Sequence, residues 1–433
     1  MEDFKDEGEP RPASVDEKVP VRKPVSAGPL HHEREPVDVR TLDVRHLLTG
    51  SPAPEPRTAA LDCVRDQKKQ ACLNGNANER ALNRGARQET VEQVYGALDL
   101  GTNNCRLLLA RPTRRGFRVV DSFSRIIRLG EGVSQCGTLS EPAMRRTMDA
   151  LKVCGSKLNR HGVRRARLVA TEACRFASNG PDFLARVKER LGLDIEVLTP
   201  EVEARLAVSG CASLIDDRSD YVLVFDIGGG SSELIWLNLS GATRKRSRGA
   251  DRIDAQNHMA AWTSLPVGVV TLAERFGGRF VTSERFEAMV EHVSNLLRPF
   301  EDKYQFAPLL RDRPAHLLGT SGTVTTIAGI QMGLPRYDRN RVDGCWLSVA
   351  EARDITYKLV GSSYEERVAQ PCIGRDRADL VLAGCAILEA LIRLWPCERL
   401  RVADRGLREG ILTTLMIEDG VYRTRRRRGR QHR

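Results

Sequence analysis

Hydrophobic periodicity in this chain begins at Tyr95. Residues 1–94 are rich in Pro, Glu, Arg, Asp and Asn with little repeat of apolar positions, the composition of a disordered extension. Beyond them, short apolar runs end in polar, glycine-rich turns, as buried strands do. In VFDIGGGSSELIW, Val224 and Phe225 read as the end of one strand and Leu234, Ile235 and Trp236 as the start of another. YGALDLGTNNCRLLLA, Tyr95 to Ala110, has the same form 127 residues earlier. Asp99 aligns with Asp226, Gly101 with Gly228 and Leu107 with Leu234, while Arg106 stands where the second copy has Glu233. Two such hairpins predict two similar α/β halves facing each other across a cleft. Between them Leu168 to Ala170 and Asp194 to Leu198 read as strands, Glu172 to Ala177 starts a helix, and Val202 to Gly210 has helical spacing.

The two turns place an acid beside exposed backbone amides. Glycines at Gly228, Gly229 and Gly230 allow positive φ and close approach of a ligand. Successive amides there, with the Ser231 and Ser232 hydroxyls, form a nest suited to phosphate oxygens. Asp226 would repel phosphate unless a cation lay between them, which points to Mg²⁺. The alternative for either turn alone is a tight hairpin with no ligand. A third turn, Gly319 to Thr323 in HLLGTSGTVTTIAGI, leads from a short strand into a helix, whose N-terminus suits a phosphate or is simply capped by Ser or Thr. No Gly-Lys-Ser/Thr follows the Gly-rich turn, its spacing departs from the dinucleotide fingerprint, and Gly-x-Ser-x-Gly is absent from the third turn. Glu201, Glu203 and Arg205 begin a helix, where the dipole favours acids without any catalytic role. Arg175 offers a fork to phosphate or to solvent.

Six segments in order, ALDLGTNNCRLLLA, VATEACRFASN, EVEARLAVSG, VFDIGGGSSELIWL, LGTSGTVTTIAG and ADRGLREGIL, give a chain that from about Tyr95 to Tyr422 resembles the Ppx/GppA family. These are exopolyphosphatases and guanosine pentaphosphate phosphohydrolases of the actin/Hsp70/sugar-kinase (ribonuclease H-like) fold. The resemblance implies a duplicated α/β architecture and Mg²⁺-dependent hydrolysis of a terminal phosphoanhydride between two domains, 95–207 and 208–422. It implies that Glu203 is the catalytic glutamate, aligning or deprotonating the attacking water, and that Asp99, Asp226 and Glu233 hold or assist the metal. Thr102, Asn103, Asn104, Arg106, Arg175, Gly228, Gly229, Gly230, Ser231, Ser232, Ser321, Gly322 and Thr323 match phosphate-contact positions. Cys105 replaces a common Ser. The chain ends soon after the sixth segment, as expected of the short form without a C-terminal HD-like domain.

Composition adds limits. Lys and Arg exceed Asp and Glu, 68 to 57, for a net charge of +11, and VYRTRRRRGRQHR places seven arginines in a basic tail at 423–433. Such a tail suits a polyanion or simply solvent. The N-terminus lacks an apolar signal core, no apolar run reaches the ~18–20 residues of a membrane span, and the scattered cysteines suit reduced core positions. A cytoplasmic location follows as the expectation. None of the eight histidines falls within the six segments, against a phosphohistidine or zinc-hydrolase route. The expected substrate is inorganic polyphosphate, with pppGpp the alternative, and an actin-fold kinase or ATP-dependent binding protein less favoured. A homodimer is left open; membrane and specific nucleic acid are not expected partners.

Overall fold

The computed structural model describes residues 93–114, 116–241 and 255–422, so the N-terminal extension up to residue 92 and the tail at 423–433 lie outside the described residues. Two mixed sheets form the framework. The first contains β1 (Tyr95–Leu100), β2 (Asn104–Thr113), β3 (Gly116–Ile126), β4 (Arg165–Ala170) and β5 (Glu196–Val197), in the order β3-β2-β1-β4-β5. The second contains β6 (Tyr221–Ile227), β7 (Ser232–Asn238), β8 (Met259–Leu265), β9 (Ala315–Gly319), β10 (Trp346–Ser348) and β11 (Arg399–Val402), in the order β10-β11-β9-β6-β7-β8.

The second sheet repeats the first. β1 pairs antiparallel with β2 and parallel with β4; β6 pairs antiparallel with β7 and parallel with β9. The outer strands β3 and β8 are antiparallel in both, and β5 and β11 extend both parallel edges. This is the duplicated α/β architecture that the paired hairpins implied, in the actin/Hsp70/sugar-kinase-like form that the family resemblance implied. β1 and β6 are central strands with helices on both faces, so both are almost wholly apolar and buried until Asp99 and Asp226 near their C-terminal ends. Each carboxylate is therefore delivered to the end of a rigid strand.

The larger core sits under the second sheet, where Trp236 stacks on Phe306 with centroids 3.9 Å apart. Each such fully buried ring contributes on the order of 1.5–3 kcal/mol. Two crossing helices complete the frame. The helix Pro200–Cys211 and the last helix, Leu407–Glu418, approach so closely that a Cβ at Gly210 would lie 1.9 Å from the Gly406 carbonyl, and one at Gly410 would lie 2.0 Å from that of Leu206. Leu407, Ile411 and Leu415 pack with Tyr95, Ala97 and Leu108, so the chain returns to the first sheet after completing the second. No helix among the described residues is long and apolar enough to cross a membrane.

Candidate anion-binding cleft

The two hairpin turns have matching geometry. Asp99 lies opposite Arg106 across β1 and β2, and Asp226 opposite Glu233 across β6 and β7. The Gly101 amide donates to the Asn104 carbonyl at 2.9 Å, and the Gly228 amide to the Ser231 carbonyl at 2.9 Å. The glycines serve a different purpose from the one expected. None of Gly101, Gly228, Gly229 and Gly230 has positive φ. They are small because the lobes meet there: a Cβ on Gly229 would lie 2.9 Å from Thr102 Cβ, and one on Gly230 would lie 3.0 Å from Glu172 Cγ. Close approach, rather than left-handed backbone, requires glycine.

Between the turns lies a cavity of about 160 Å³. Asp99, Thr102, Asn103, Asn104, Arg106, Glu203, Asp226, Gly228, Gly229, Gly230, Ser231, Glu233, Ser321, Gly322 and Thr323 all line it. The third turn delivers the helix Gly322–Gln331, whose N-cap Ser321 accepts from the Val324 amide at 3.4 Å. Its N-terminus brings free amides and positive dipole to the cavity wall. Two expected phosphate contacts are placed elsewhere. Ser232 is buried and its hydroxyl donates to the Val267 carbonyl at 2.7 Å. Arg175 is not on the cavity wall; its Nη1 donates to Glu203 Oε2 at 3.2 Å and to the Leu198 carbonyl at 2.7 Å, and its Nε donates to Glu172 Oε2 at 3.1 Å.

Glu203 enters from the first turns of its helix, which starts with N-cap Thr199 and Pro200 at the first position. Burial, then the neighbouring Glu233, hold the Glu203 carboxyl well above the ordinary range, with Arg175 opposing them. Burial and Asp226 push Glu233 up to about 7, while Ser231 and Ser264 donate to its Oε1 at 2.7 and 2.9 Å. Asp99 and Asp226 are raised by burial, and Arg106 works against this in both. With Glu172, five carboxylates thus line one cleft.

That crowding bears on a cation. No three acid, His or Cys side chains among the described residues converge as a complete metal shell would. Mg²⁺ does not need one, since it takes one or two carboxylates and completes its shell with waters and phosphate oxygens. Asp99 and Asp226 fit that demand, as mutually repelling buried acids at the floor of the cavity. Glu233 is already committed to two hydroxyls, which suits support of the site better than direct ligation. Asn103 Oδ1 is buried without a partner, a polar group left for a bound ligand or its water.

Sequence reading assigned no site role to several lining residues, Glu172, Thr326 and Arg377 among them, while Thr320 lies in the third turn it singled out. Arg408 lies close enough to Asp99 and Arg106 to feel both charges. Among the described residues, Arg106 and Arg377 form no ion pair and both line the cavity, so their charge is free to meet an anion, whereas Arg408 is not on its wall. Arg408 lies within ADRGLREGIL and was legible there; Arg377, in GRDRADL, carried no signal beyond its charge.

Duplicated lobes that close acids, unpaired arginines and three amide-rich turns around one cavity define a protein of the actin-like fold with a charged interlobe cleft. The Ppx/GppA phosphatase family profile matches residues 108–418, and the chain belongs to that family. A guanosine-5'-triphosphate,3'-diphosphate pyrophosphatase of Photobacterium profundum is 28% identical over 327 residues, 75% of this chain; the chain spans 60% of that relative's length. The crystal structure of the Aquifex aeolicus Ppx/GppA family member is 28% identical with a TM-score of 0.60, covering 76% of this chain and 98% of that one. An exopolyphosphatase from Cytophaga hutchinsonii is 26% identical with a TM-score of 0.65, covering 75% and 98%.

Proposed function

We propose that the cleft hydrolyses a terminal phosphoanhydride, releasing orthophosphate. The observation that carries this is the placement of Glu203: its carboxylate, fixed by Arg175, faces the same cavity as both acidic hairpin turns and the third turn at Gly319 to Thr323. Transfer of phosphoryl to water needs an in-line nucleophile and charge neutralisation more than covalent chemistry. Glu203 orients the water and takes its proton. Arg106, Arg377 and the backbone amides of the turns hold the phosphate oxygens. Asp99 and Asp226 would hold Mg²⁺, which neutralises phosphate charge when bound.

For the substrate, the curated relative's name supports pppGpp over the polyphosphate expected from sequence. Polyphosphate stays as the second reading, favoured by an exopolyphosphatase whose solved chain this one covers almost entirely. Phosphate release by the purified protein from pppGpp, long-chain polyphosphate and ATP, each with Mg²⁺, tests both. Release from pppGpp at the highest kcat/KM supports the first reading, and a reversed order the second. ATP turnover that needs a phosphate acceptor would instead place the chain with the actin-fold kinases.

A further inference from the structure

Arg367 is a buried cation with no acid to pair it. The residue is 1% exposed, and no carboxylate among the described residues forms an ion pair with it. Burying a charge is costly unless its donors are met. Here they meet four main-chain carbonyls. Nε donates to Ala378 at 3.3 Å, Nη1 to Ser362 at 2.8 Å, and Nη2 to Gly278 at 3.4 Å and to Arg279 at 2.7 Å. The fork thereby ties three turns of the second lobe together. Two of them follow the helices Val269–Phe276 and Val349–Val360, and the other precedes the helix Val381–Leu394. A planar guanidinium reaches acceptors on several sides, whereas an ammonium offers its donors from one point.

The turn before Val381 carries Arg377 into the cleft. The Arg377 guanidinium makes no hydrogen bond or ion pair of its own among the described residues, so its direction is left to its backbone. That backbone is gripped on each side. Arg367 holds the carbonyl of the next residue, Ala378. The Asp379 carbonyl packs on Gly278, where a Cβ would lie 1.9 Å from it, and the Asp379 carboxylate takes Arg128 of the first lobe at 2.9 Å. The Arg377 carbonyl accepts from the Leu380 and Val381 amides, both at 2.9 Å. We propose that Arg367, which is not on the cleft wall, is a positioning residue: by pinning Ala378 to the Gly278–Arg279 turn it aims Arg377 at the bound phosphate. The inference rests on the reading of Arg377 as a phosphate contact and supplies what holds that contact in place.

The test is a double-mutant cycle on the full chain, with wild type, Arg367→Lys, Arg377→Ala and both changes together. The probe is imidodiphosphate with Mg²⁺, whose bridging nitrogen resists hydrolysis, titrated by calorimetry, with the Tm of each protein measured alongside. Arg377→Ala should weaken binding about tenfold or more, the worth of a hydrogen bond to a charged group. Arg367→Lys should weaken it about three- to tenfold, and less than about twofold once Arg377 is already alanine, because the group it aims is gone. A merely structural role lowers the Tm and weakens binding by the same factor in both backgrounds. That result, or wild-type affinity in Arg367→Lys, overturns the positioning role. If Arg367→Lys does not fold, Arg367→Gln, which keeps an amide donor without the buried charge, takes its place; failure of both to fold makes the residue structural only. Wild-type affinity in Arg377→Ala, or no binding by wild type, removes the phosphate contact and the positioning role with it. Phosphate release by wild type from pppGpp and polyphosphate is scored separately, so the hydrolase reading stands or falls on its own result.

Discussion

Arg175 holds Glu203: its Nη1 lies 3.2 Å from Glu203 Oε2, while its Nε and Nη2 take Glu172. A guanidinium spanning two carboxylates fixes the rotamer of each. Arg175→Ala should therefore lower kcat by about ten- to a hundredfold, the cost of a misplaced reacting group, with little change in KM. Arg175→Lys should recover only part, because an ammonium cannot span both acids with a planar fork. Steady-state kinetics of the two variants check this. A rise in KM with kcat preserved would return Arg175 to direct contact with phosphate, the role implied by its sequence motif.

The acid cluster sets a pH dependence. Glu203 accepts a proton only when ionised, and burial with Glu233 raises its carboxyl above the ordinary range. Activity should climb with pH across a range above that of a free glutamate, about 4.3. Glu233→Gln removes the neighbouring like charge, so the acid limb of the kcat/KM profile should move to lower pH. A limb that stays in place, or moves up, contradicts the coupling.

Stability follows with a definite sign. Glu233 is raised from 4.5 to about 7, so its contribution is fully present below about 4.5 and is lost as pH rises through about 7. A cation among the same acids offsets that loss. Added Mg²⁺ should raise the Tm more at pH 8 than at pH 5, as read by scanning calorimetry. Equal shifts at both pH values would separate the cation from these carboxylates.

The fold was legible in the sequence because one residue pattern occurs twice. Asp99 and Asp226, each ending an apolar run before a glycine, located both central strands, and their cross-strand partners Arg106 and Glu233 fell in register. The helix that carries Glu203 was equally readable, from the spacing of Val202 to Gly210 and the charged residues at its start. What pattern cannot carry is who meets whom across the cleft. Ser232 looked like a further donor of the nest, yet strand alternation points its hydroxyl at Val267. Arg175 and Glu203 are 28 residues apart, and nothing local in either segment marks them as partners. The return of Leu407–Glu418 to the first sheet is a long-range packing outcome, signalled at most by the small residues Gly406 and Gly410.

Gly229 is a test of the closed lobes. A methyl there would stand 2.9 Å from Thr102 Cβ and 3.2 Å from the Asn103 amide nitrogen, so backbone has to move. Gly229→Ala should cost about 1–3 kcal/mol of stability, as overpacking does, or spread the cleft and lower kcat/KM about tenfold. Urea unfolding and kinetics on the same variant distinguish these outcomes. Wild-type values in both would mean the lobes do not meet at this turn.

The central claim is that Glu203 prepares the attacking water in a cleft whose other groups bind the phosphates. Glu203→Gln keeps size and hydrogen bonding but removes the base. Single-turnover phosphate release at saturating Mg²⁺, measured with substrate affinity in the same samples, tests it most directly. Turnover should fall on the order of 10²–10⁴-fold with affinity retained within a few fold. Near-normal release by Glu203→Gln would contradict the account and reduce this acid to a dipole partner at the start of its helix.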